Sequence, residues 1–111
     1  MAQHKLNLMR TPFDCIRNNI KKYELRLNSK TRHNIKINDI IIFRYQKNTI
    51  IKKVKNKYIF KSLNDCFDNL DIKLILPLLS VKTKKNAIHH YYSIYSPIRI
   101  KKHGIVVFEL E

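Results

Sequence analysis

The run Tyr23-Glu24-Leu25-Arg26-Leu27-Asn28 alternates apolar and polar side chains without a break. Side chains two apart leave a strand on the same face, so the run predicts a half-buried β-strand with Tyr23, Leu25 and Leu27 on its apolar side. A helix is expected just before it, because Phe13, Ile16 and Ile20 recur at helical spacing and Asn18 and Asn19 close the pattern. After glycine, Asn best tolerates the left-handed conformation that such a helix end requires. The chain must therefore fit a helix end, a sharp turn and a strand into direct succession, with Lys21 and Lys22 at the strand's entry. The polar face of that strand carries a carboxylate and a guanidinium, Glu24 and Arg26, with an ammonium close behind. Such a set can hold a phosphate, a base edge or a leaving group.

The neighbouring segments read as short strands with helices inserted. His4 to Met9 alternates and is expected to pair with the C-terminal strand, Gly104 to Leu110. Thr11 is the expected N-cap of the first helix, with Pro12 in its first position and Asp14 near the positive end of its dipole. Asn28 to Asn34 is a polar, cationic loop carrying Lys30, Arg32 and His33, an expected rim for a ligand cleft. Asn38 is a second Asn at a turn in a chain whose only glycine is Gly104. Ile40-Ile41-Ile42-Phe43 is a continuous apolar run, as in a strand buried on both faces. Thr49 to Lys55 and Lys57 to Phe60 are expected as two strands separated at Asn56. Ser62, with Asp65 three residues on, caps a helix from Leu63 to about Leu70. Ile72 to Leu79 reads as a connecting segment, and Thr83 caps a third helix running through Tyr95 to the stop at Ser96-Pro97.

A length of 111 residues suits one domain spanning the whole chain, residues 1–111, with a single modest core. Pattern alone supports an α+β class. The chain holds 23 Lys plus Arg against 8 Asp plus Glu, a formal charge of +15, and that excess is the electrostatic footprint of a polyanion partner. No run approaches the roughly 18 apolar residues of a membrane-spanning helix, and the N-terminal residues lack a signal-peptide core, so a soluble, intracellular protein with no membrane partner is expected. Cys15 and Cys66 are then expected to be reduced thiols.

At Asn19, Lys21, Glu24 and Arg26 the chain resembles the signature of ASCH domains, small members of the PUA-like superfamily, whose motif reads Gly-x-Lys-x-x-Glu-x-Arg. Three anchors match in type and spacing, and Asn19 stands where the motif has glycine. Ile37-Asn38-Asp39 resembles the family's Val-Gly-Asp turn. Tyr92-Ser93-Ile94-Tyr95 followed by His103-Gly104-Ile105-Val106 resembles its ending. The resemblance implies a small, mixed, partly open PUA-like β-barrel with about three flanking helices. It also implies that Lys21, Glu24 and Arg26 lie at the mouth of a cleft where nucleic acid or a modified nucleobase binds.

In that setting Arg26 offers a planar fork to phosphate or guanine, Lys21 a mobile point charge, and Tyr23 or Tyr45 a stacking surface. Cationic neighbours favour the ionised form of Glu24, which suits it to orient Arg26 or Lys21 more than to carry protons. The ligand-binding set is thus Lys21, Tyr23, Glu24, Arg26, Lys30, Arg32, Tyr92 and Tyr95. His89 and His90 are adjacent, about 100° apart on a helix, and cannot share a metal. Neither a metal nor a cofactor is expected. The acetylcytidine amidohydrolases, a related branch, carry a threonine nucleophile where Glu24 stands, so that chemistry lacks its hydroxyl here. The expected function is RNA binding without catalysis; the alternative is a small hydrolase or ribonuclease acting on RNA or modified nucleosides.

Overall fold

The computed structural model describes residues 1–111. The elements follow in the order β1 (Gln3–Asn7), α1 (Arg10–Arg17), β2 (Tyr23–Leu27), α2 (Lys30–His33), β3 (Ile40–Tyr45), β4 (Asn48–Phe60), α3 (Leu63–Asn69), α4 (Ile72–Ile75), α5 (Lys84–Tyr92), α6 (Pro97–His103) and β5 (Ile105–Leu110). The five strands form one mixed sheet in the order β1-β3-β4-β5-β2, curled into a half-barrel. The α+β class and the partly open barrel are as expected.

Strand pairing departs from expectation at β1. It lies parallel to β3, with Leu6 opposite Phe43, and does not pair with the C-terminal strand. The reason lies in β5, whose Ile105 to Phe108 are all inaccessible to solvent. A strand apolar on both faces belongs in a sheet's interior, and β5 has both edges occupied, by β2 and by β4.

β4 is one strand of 13 residues, not two. Its register slips between Val54 and Asn56, which makes Lys55 an extra residue. Such a bulge reverses which face the following side chains occupy. Val54 therefore points into the concave core, whereas Tyr58 and Phe60 beyond the bulge join the opposite one.

Two cores result. The concave face gathers Leu6, Ile16, Ile35, Ile41, Phe43, Val54, Val106, Phe108 and Leu110. The convex face of β2 and β5 contributes Leu25, Leu27, Ile105 and Val107, covered by Leu63, Phe67, Ile75, Ala87, Tyr91 and Ile100 from the helices.

Six helical segments stand where three were expected. Ser62 and Thr83 cap as anticipated, accepting from the amides of Asp65 and Asn86 at 3.1 Å each. The third helix, α5, ends at Tyr92, and Ser96 caps a separate helix, α6, with Pro97 at its start. α2 and α4 are single turns of four residues inside segments read as loop and connector. So short a turn buries too little for a periodic signal. At α1 the N-cap is Met9, not Thr11, and the helix stops before Ile20, which is half exposed. Asn19 and Asn38 adopt the left-handed conformation, with φ of 60° and 75°. The amides of Ile20 and Lys21 then both donate to the Cys15 carbonyl, swinging the chain into β2.

Asp39 anchors the other edge. Its carboxylate accepts from the amides of Ala2 and Lys36 and from His4 Nε2 at 2.8 Å, fixing the start of β1 beside β3. The bonds from His4 and Lys36 hold this carboxyl well below its ordinary range, at about 2.

Candidate functional site

β2 is an edge strand bonded only to β5. Its alternation sends Tyr23, Leu25 and Leu27 to the convex core, while Glu24 and Arg26 sit opposite Phe108 and Val106, on the concave side. Glu24 uses both oxygens. Oε1 lies 3.4 Å from Lys21 Nζ, and Oε2 accepts from Arg26 Nε at 2.7 Å. Lys21 Nζ also donates to the carbonyl of Ile75 in α4, and Arg26 Nη2 donates to the carbonyl of Asn7 in β1 at 2.9 Å. One carboxylate between two cations leaves the group with an excess positive charge.

Burial changes the part that Lys21 plays. Its side chain is 4% exposed, so it is a fixed donor and not the mobile point charge anticipated; Glu24 is 6% exposed and Arg26 17%. Burial lowers the Lys21 pKa, and Glu24 opposes that effect. Burial likewise lowers His90, helped by the charge of Lys21, and raises the Tyr91 phenol well above its ordinary value, helped by Glu24. The Arg32 guanidinium is disfavoured by burial and by Arg26, and favoured by Tyr95 and Glu24. Of the expected set, Lys21, Glu24 and Arg26 are in direct contact, while Arg32 and Tyr95, and with them His90 and Tyr91, are within range of the charges at this edge but make no bond to Glu24.

Other expected residues stand apart. Tyr23 packs edge-on against Tyr58 on the opposite face, at 6.4 Å between centroids, and Tyr45 tilts over Phe13. Tyr92 is exposed and lines a separate groove of about 580 Å³ with Phe60, Ile100 and Lys101. Lys30 is exposed on α2.

Sequence reasoning missed Asn7, whose contribution is a backbone carbonyl, and Tyr91, whose signal was present in the Ala87–Tyr91 spacing. It also passed over Asn28. The side-chain oxygen of Asn28 is buried without a hydrogen-bond partner, two residues beyond Arg26. No trio of His, Cys, Asp or Glu side chains converges to hold a metal ion, and no helix is long and apolar enough to cross a membrane.

No family model matches the sequence, and no curated protein matches it. Solved structures do. The crystal structure of the hypothetical protein PH0355, an archaeal protein, superposes with a TM-score of 0.89 at 31% identity, covering 98% of this chain and 97% of that one. The chain belongs to the family of PH0355. A second relative, protein PF0455 from Pyrococcus furiosus, solved by NMR in solution, matches with a TM-score of 0.78 at 27% identity over 98% and 96% of the two chains. In the PH0355 family the half-barrel and its helices are therefore shared end to end.

Proposed function

We propose that this chain is an RNA-binding module of the ASCH type, built on the PUA-like barrel, which reads its ligand at the edge of β2. The observation that carries the reading is the part-exposed Arg26 guanidinium held in place by a buried Glu24 that is engaged through both oxygens. Glu24 holds the Arg26 fork, and Arg26 uses two of the five N–H groups of a guanidinium inside the protein. Its remaining N–H groups and Arg32 suit a phosphate, and Tyr95, partly exposed, offers a ring. The charge of +15 adds non-specific phosphate attraction, and an RNA ligand suits a cytoplasmic or nuclear protein.

Titration of labelled single-stranded RNA, duplex RNA and DNA at several salt concentrations tests this. Binding at micromolar Kd or tighter is expected, strongest for RNA, falling steeply with salt and weakened by Arg32→Ala, since Arg32 lies outside the buried network. Failure to bind any of the three sinks the reading.

The alternative is a hydrolase or ribonuclease. Lys21, with its lowered pKa, is the group such chemistry would recruit. Its Nζ is engaged by Ile75 and Glu24 and out of a substrate's reach. Incubation with RNA and with acetylcytidine separates the two, since turnover of either by the wild-type protein would favour the enzyme.

A further inference from the structure

The helices cover the convex side of the sheet only over β2, β5 and the distal part of β4. Over β1, β3 and the first half of β4 that side carries no core cluster, with Ile51 exposed and Ile40, Ile42 and Lys53 part-exposed. Register places Lys5, Ile42 and Ile51 in one row across the three strands, with Ile40 and Lys53 in the row on one side and Arg44 in the row on the other. None of Ile40, Ile42 and Ile51 belongs to or packs against either core, and Ile51 is 66% exposed. The remaining convex positions on these strands, Gln3, Asn7 and Thr49, are uncharged, so the three strands give the face three cations, against which Glu111 sets a carboxylate at one corner. Glu111 is held near its corner, its amide donating to the Lys53 carbonyl.

We propose that this face docks an acidic amphipathic segment of a partner protein, aliphatic along its centre and carboxylate-flanked. A stripe of isoleucines framed by Lys5, Arg44 and Lys53 matches such a segment in both respects. Its apolar side covers Ile42 and Ile51, and its carboxylates meet the three cations. A second copy of this chain would bring the same three cations against themselves. Nucleic acid fits less well, because base recognition on an open sheet relies on stacking, and three isoleucines offer no π-face.

The probe is a fluorescein-labelled helical peptide of about 18 residues, long enough to form a helix, with leucines on one face and glutamates elsewhere. Its comparison peptide has the same composition scrambled so that no apolar stripe forms. Binding of the striped peptide is expected, with Ile51→Ser and Lys53→Glu each weakening it about tenfold. Ile51 is largely exposed, so its variant should keep the wild-type melting temperature. Lys5→Glu is a second reporter at an exposed strand position. Equal binding of the scrambled peptide, or affinity unchanged in all three variants, overturns the proposal. So does an RNA whose binding is the one lost in Ile51→Ser, or a dimer in sedimentation that the same change dissociates.

Discussion

Arg26 Nη2 lies 2.9 Å from the carbonyl oxygen of Asn7, and this bond joins the two edge strands of the half-barrel, which share no backbone pairing. The same guanidinium grips Glu24 through Nε. Arg26→Ala removes both bonds and leaves Glu24 with Lys21 alone. A loss of about 2–3 kcal/mol is expected, read from the midpoint of urea unfolding. Arg26→Lys should recover only part of it, because one ammonium cannot span two partners that lie in different directions. A midpoint unmoved in Arg26→Ala would show that the edges are held by something else.

Lys21 is expected to matter more for stability than its charge suggests. Lys21→Met strands one oxygen of a buried carboxylate and should cost about 3–5 kcal/mol. Adding Glu24→Gln should recover part of that loss, a non-additivity that a double-mutant cycle measures. The pH dependence has a definite sign. Folding lowers the Lys21 pKa, so between the folded value and the ordinary 10.5 the unfolded chain binds the extra proton. Stability attributable to Lys21 therefore rises with pH through that window. The wild type should gain on Lys21→Met as unfolding is repeated at increasingly alkaline pH.

Asp39 acts at the opposite end of the scale. Its pKa is depressed to about 2 by His4 and the Lys36 amide. Its contribution is complete above the unfolded value of about 3.9 and disappears as pH falls through the folded one. Asp39→Asn should melt at a lower temperature than the wild type at pH 7. The two melting curves should converge between about pH 4 and pH 2, and a gap that stays constant over that range would refute the assignment.

The two thiols should separate kinetically. Cys66 is fully buried, and burial pushes its thiol up to about 12, whereas Cys15 is half-buried. A disulfide reagent at pH 8 is expected to label Cys15 in the native protein and to reach Cys66 only after unfolding. Mass spectrometry of the labelled peptides reads the order.

The β3–β4 hairpin offers a gain in place of a loss. Tyr45 pairs with Asn48 across a two-residue loop, and only the first loop residue, Gln46, has positive φ, at 54°. That pattern belongs to turns that favour glycine in this position. Gln46→Gly should stabilise the fold by about 0.5–1 kcal/mol, the strain of a side chain in the left-handed region less the added freedom of the unfolded chain. Thermal melting measures the difference.

Local rules were the legible part of this sequence. Ser62 and Thr83 announced their helices, Asn19 and Asn38 their left-handed turns, and the alternation of residues 23–28 the strand that carries the site. Pairing was not legible in the same way. His4 to Asn7 alternates whichever strand lies beside it, and the choice of β3 follows from β5 having no free edge. Asn56 resembled a strand break because a bulge and a turn both interrupt alternation. In the site, Glu24 and Arg26 were evident, but their burial was not. It depends on α4 and α5, elements distant in sequence, closing over the edge of β2.

Because β4 crosses both halves of the molecule, its consequences extend to how the protein opens. Val54 packs in one core, Tyr58 and Phe60 pack on the other, and the same backbone ladder runs through all three. Neither half can come apart without unzipping the strand it shares. Amide protons on both sides of the bulge should therefore exchange in a single cooperative event rather than in two. Pairing Tyr23 with Glu109 joins residues near opposite ends of the chain, and contacts so remote in sequence make that event slow to reverse.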